Sequence, residues 1–60
     1  MSTLKQIRKS RRIKAVNMAK DLGITRQYLY LIENKAIPVN YEIRHKIAVY
    51  LDCKPINIDW

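Results

Sequence analysis

Sixty residues carrying a formal net charge of +7, 48% of them apolar, make one small domain over residues 1–60 rather than a disordered chain. One cysteine, Cys53, and one histidine, His45, exclude an internal disulfide and a Cys/His zinc site, so helix packing or a second subunit has to supply the stability. No apolar run nears the ~20 residues that span a bilayer, and the leading MSTLKQIRKSRR lacks the apolar centre of a secretory signal, which predicts a cytoplasmic protein with a reduced thiol.

The first helix is expected from Thr3 to Arg11, with Ser2 or Thr3 as its cap. Leu4, Ile7 and Arg11 fall on one stripe with Arg8 beside it, and Ile13 follows as an apolar plug. Charge is concentrated here. Residues 1–20 hold seven basic side chains and no acidic one, whereas the other forty balance five of each. Such a one-sided positive field draws polyanions, nucleic acid or an anionic membrane; its bland reading is a solvated surface.

A second helix is predicted over Ala15 to Leu22, where Met18, Ala19 and Leu22 share a face. Gly23 then supplies the left-handed residue that ends it. Thr25 is a good cap for a third helix that ends near Asn34, and Pro38 punctuates the loop beyond. The fourth helix is expected from Tyr41 to Leu51, capped by Asn40, with Ile43, Ile47, Ala48 and Leu51 as its buried stripe. Pro55 suits the first position of a last helix, Pro55 to Asp59. Nothing reads as a sheet. The expected fold is all-α, a compact bundle of five short helices.

The segment AKDLGITRQYLYLIEN (Ala19 to Asn34) carries the functional signal. At about 100° per residue, Thr25, Tyr28, Leu29 and Ile32 collect on one side of the third helix, with Arg26, Gln27, Tyr30, Leu31 and Asn34 opposite. Arg can bond guanine O6 and N7 together and Gln adenine N6 and N7, each pair discriminating by about 1–3 kcal/mol. Tyr30 and Leu31 offer apolar contact to a thymine methyl, and side by side in solvent they are unfavourable unless covered. The bland alternative is a surface helix with two large apolar groups. Glu33, at the border beside Leu29, needs a cation if it turns inward.

Taken together, LKQIRKSRRI (residues 4–13), MAKDLGITRQYLYLIEN (residues 18–34) and KIAVYLDC (residues 46–53) with its apolar tail resemble the helix-turn-helix family of Cro and the lambda-type phage repressors. The resemblance covers nearly the whole chain. It implies a helix-turn-helix fold whose third helix enters the DNA major groove. By the same resemblance, Arg26 and Gln27 stand at the main base-reading positions, Tyr30 and Leu31 at secondary ones, and Thr25, Tyr28 and Asn34 at phosphate-contacting ones. Arg8 and Glu33 match a buried pair tying the first helix to the third. The chain departs from the family at Lys14 and Ala15, where Ser or Thr and then Gln are frequent, so Lys14 reaches a phosphate by charge instead of capping. Arg12 and Lys35 replace frequent glycines, which calls for a strained or left-handed backbone.

Arg12 and Lys14 are expected to touch phosphates. Lys35 and Arg44, flanking the loop before the fourth helix, either join them or are solvated surface. His45 reads as an exposed helix residue and Cys53 as core filler. Ile58 and Trp60 are expected at a dimer contact, because a final tryptophan is hard to bury in one subunit. The function expected is a sequence-specific DNA-binding transcriptional regulator, a small phage or bacterial repressor reading double-stranded DNA as a homodimer on a palindromic operator. It needs no cofactor, metal or small-molecule substrate, and no triad or phosphate-cradling glycine loop points to an enzyme. The alternative is a protein-interaction module, such as an antitoxin or anti-repressor, using the same helical face. A membrane-active peptide is a weaker third.

Overall fold

The computed structural model describes residues 1–60. Its elements in chain order are β1 (Ser2–Thr3), α1 (Leu4–Ser10), α2 (Ala15–Leu22), α3 (Arg26–Glu33), α4 (Tyr41–Tyr50), a 3₁₀ turn (Pro55–Asn57) and β2 (Ile58–Asp59). Two expectations need correction. There are four α-helices instead of five, because the backbone after Asn57 turns extended at Ile58 (φ −105, ψ 131). That extended segment pairs in parallel with β1, Ser2 beside Ile58 and Thr3 beside Asp59, where no sheet was expected. Two-residue strands are too short to show an alternating pattern, so sequence gives no sign of them.

Local chemistry explains where the helices start. Thr3, Thr25 and Asn40 each accept a bond from the free N–H three residues on, Gln6, Tyr28 and Ile43 at 3.2, 3.0 and 2.9 Å. Gln6 returns the bond to the Thr3 N–H, closing a capping box. Lys14 gives α2 no such cap, which leaves that helix without about 1 kcal/mol that the other three enjoy.

All four helices also stop in one way. The residues Arg12, Gly23, Lys35 and Asp52 are left-handed, with φ between 55 and 73. In each case the next N–H reaches back five residues, Ile13 to Arg8, Ile24 to Ala19, Ala36 to Leu31 and Cys53 to Ala48. Ile13, Ile24 and Cys53 thereby turn onto the core. Only α2 ends on glycine. An L-residue in this conformation costs about 1–2 kcal/mol, least for Asp.

Leu4, Met18, Leu29, Ile32, Ile47 and Leu51 are the largest fully buried side chains, so every helix contributes. The predicted stripes of α2 and α4 face this core, with Leu22 and Ile43 half-buried at the margins. Arg11 donates to the Leu51 carbonyl at the end of α4, joining the two ends.

Candidate nucleic-acid interface

Gly23 lets the chain reverse between α2 and α3, and Thr25 opens the new helix. α3 buries Leu29 (0%) and Ile32 (1%) in the core. Its other side exposes Arg26, Gln27, Tyr30 and Asn34, with 64% of Tyr30 accessible. Leu31 is half-buried instead of standing out beside Tyr30. It lies about 60° round the helix from half-buried Tyr28, at the edge of the exposed arc.

One ion pair fastens the end of α3 in the orientation that its buried side sets. Arg8 Nε donates to Glu33 Oε2 at 2.5 Å and Nη2 to Oε1 at 3.2 Å, while Nη1 donates to the Ile13 carbonyl at 2.9 Å. The two side chains are only 11% and 6% exposed. A single guanidinium thus holds α1, the α1–α2 turn and the end of α3. No buried side-chain nitrogen or oxygen lacks a partner.

The residues expected at phosphates divide by how free they are. Arg12 and Lys14 are exposed and form no ion pair, at the end of α1 and the start of α2. Lys35 Nζ lies 2.9 Å from Asp59 Oδ1. Arg44 is half-buried: its Nε donates to the Val39 carbonyl at 2.9 Å and its guanidinium sits 5.6 Å from the Trp60 ring centre. Thr25 spends its acceptor on the cap but keeps a hydroxyl proton to donate. Asn34 Nδ2 donates to the Tyr30 carbonyl at 2.8 Å, which leaves its amide oxygen free.

At the C-terminus Ile58 is 3% exposed and belongs to the core. Trp60 is half-buried, and its indole N–H donates to the Pro55 carbonyl at 3.1 Å. Both are thus held by their own chain. Sequence reasoning missed the tie from Arg11 to Leu51, although Arg11 shares a stripe with Leu4 and Ile7. It also missed Tyr50, whose hydroxyl donates to Asp21 Oδ2 at 2.9 Å. That bond, followed by burial and the carboxylate's charge, raises the tyrosine's pKa above its ordinary value. No local pattern links residues so far apart in the chain.

No group of three or more His, Cys, Asp or Glu side chains could hold a metal ion, and no helix is long and apolar enough to cross a membrane. Neither a curated protein nor a solved structure matches the chain. A family model described as a Cro/C1-type HTH DNA-binding domain does, over residues 3–58. The match starts at the cap of α1 and ends in β2, and so takes in the turn, α3 and the Arg8–Glu33 pair. The chain belongs to the Cro/C1-type helix-turn-helix DNA-binding domain family, a family of DNA-binding regulators.

Proposed function

We propose that the protein is a sequence-specific transcriptional repressor of phage or bacterial origin that reads paired half-sites of a palindromic operator as a homodimer. One observation carries the reading: α3 exposes Arg26, Gln27 and Tyr30 along a single side while Leu29 and Ile32 anchor the other. Arg26 and Gln27 lie in its first turn, the part that enters a major groove deepest. They read base edges, and Tyr30 and the accessible part of Leu31 meet thymine methyls. Arg12 and Lys14 bind phosphates, aided by Thr25, Tyr28 and Asn34. Lys35 and Arg44 serve the same backbone at the other end of α3. Repression follows from occupying the operator.

The test is binding to duplexes selected from a random pool, measured by fluorescence anisotropy across salt concentrations. Arg26→Ala should cost about 1–3 kcal/mol on the selected sequence and little on random DNA. Lys14→Ala should weaken all duplexes similarly and reduce the salt slope by about one. Equal losses on selected and random DNA for Arg26→Ala would refute base reading. Binding to a protein through the same face would instead show little salt dependence.

A further inference from the structure

Asp59 and Trp60 each lie against one of the two cations that flank the loop after α3. Lys35 Nζ is 2.9 Å from Asp59 Oδ1, and the Arg44 guanidinium sits 5.6 Å from the Trp60 ring centre. An open groove of about 290 Å³ runs between these cations, lined also by Ile37 and Pro38. The two contacts differ in their electrical consequence. An aromatic ring leaves the guanidinium charge in place, and Arg44 uses only its Nε, on the Val39 carbonyl. A carboxylate beside an ammonium cancels its charge. The chain forms two ion pairs, and Arg8–Glu33 is buried. Lys35 is therefore the one exposed cation that the fold neutralises.

Backbone structure holds both partners in reach of each other. Asp59 is in register with Thr3 in the β1–β2 pair, and its neighbour Ile58 is 3% exposed. Lys35 has a φ of 57, in the left-handed region that costs a lysine conformational energy. The N–H after it closes the end of α3 on the Leu31 carbonyl. Yet the side chains of Lys35 and Asp59 are 47% and 45% exposed, so a phosphate can reach the ammonium. Asp59 also lies just past residues 3–58, which the family model matches.

Phosphate binding gains its strength from cations that neutralise phosphates and release counterions. A lysine already balanced by a carboxylate of its own chain adds little to that release. A phosphate approaching it must displace Asp59 or stand beside its charge. We propose that Asp59 is a built-in brake on DNA binding: it competes with a backbone phosphate for Lys35 and so lowers the affinity for every duplex. The inference rests on the reading that Lys35 serves the DNA backbone. It does not rest on sequence selectivity, because phosphates carry no sequence information.

The test is a double-mutant cycle on the 60-residue chain, read by fluorescence anisotropy with a random-sequence duplex at several salt concentrations. Asp59→Asn keeps the shape of the side chain, and Lys35→Gln keeps a side chain at the left-handed position. Melting curves of all four proteins should therefore superpose, as an exposed pair adds little to stability. Asp59→Asn should raise affinity about threefold and steepen the salt slope by about one. Lys35→Gln should cancel that gain, and should cost the parent at least about twofold less than it costs the Asp59→Asn chain. An unchanged affinity for Asp59→Asn, two effects that simply multiply, or a lowered melting temperature in place of the gain would overturn the proposal. A coupled gain on random DNA, with no sequence preferred in the random-pool selection, would overturn the repressor reading and leave the brake standing.

Discussion

α3 and α4 are assembled alike and face the solvent differently. Each starts at an oxygen-bearing cap, ends at a left-handed residue and buries an aliphatic side. α3 then exposes arginine, glutamine and tyrosine, groups that form directed hydrogen bonds, whereas α4 exposes a ridge of Tyr41, His45 and Val49 between grooves. Burial thus fixes which way a helix faces, and the leftover side chains fix what it can hold. Directed donors suit the edges of base pairs.

The largest test of this contrast is Glu33→Ala. It leaves Arg8 buried and uncompensated, and breaking such a pair costs about 3–5 kcal/mol. Thermal melts should show a domain close to unfolding at ambient temperature, since small domains hold only about 5–15 kcal/mol in reserve. A melting point near that of the parent would mean the pair does not fasten the end of α3. Next comes the contrast itself: Leu29→Ala removes a fully buried side chain and should cost about 2–5 kcal/mol, whereas Val49→Ala should stay within about 0.5 kcal/mol. Similar losses in urea titrations would erase the distinction between the inner side of α3 and the outer side of α4.

The smallest effect concerns how α4 is tied to α2. Tyr50→Phe removes one exposed hydrogen bond to Asp21 and should cost about 0.5 kcal/mol. Its pH dependence has a defined sign. The folded chain keeps the Tyr50 proton to higher pH than the unfolded chain does, because Asp21 accepts it. Stability from this bond is therefore complete below the ordinary tyrosine range and is lost as pH rises through and above it. Comparing the two proteins in urea titrations at increasing pH should show their difference shrinking there; a constant difference would show that the bond is not formed.

Much of the candidate site was legible locally. The caps Thr25 and Asn40, the turn at Gly23 and the inward pair Leu29 and Ile32 all follow from residue chemistry and helical periodicity. Glu33 signalled its own need for a cation, and the family resemblance pointed to Arg8. The backbone at Arg12 and Lys35 was foreseeable only as a departure from glycine, and Asp52 gave no sign of joining them. The engagement of Lys35 by Asp59 and of Arg44 by Val39 and Trp60 lay beyond local reading. Those contacts join the loop after α3 to the far end of the chain.

By itself the sequence determined α1 to α4 among the five helices expected, their starts and the side each buries, because capping and hydrophobic burial act within a turn or two. The helix-turn-helix family was legible through the resemblance carried by residues 4–13, 18–34 and 46–53. Only the tertiary structure decided that Pro55–Asn57 is a single 3₁₀ turn, that the two chain ends pair as strands and that Leu31 is half-covered. It also decided which cations stay free and which are held. These depend on segments distant in sequence meeting in space, where backbone hydrogen bonding and charge pairing choose among conformations that local preference leaves nearly equal in energy.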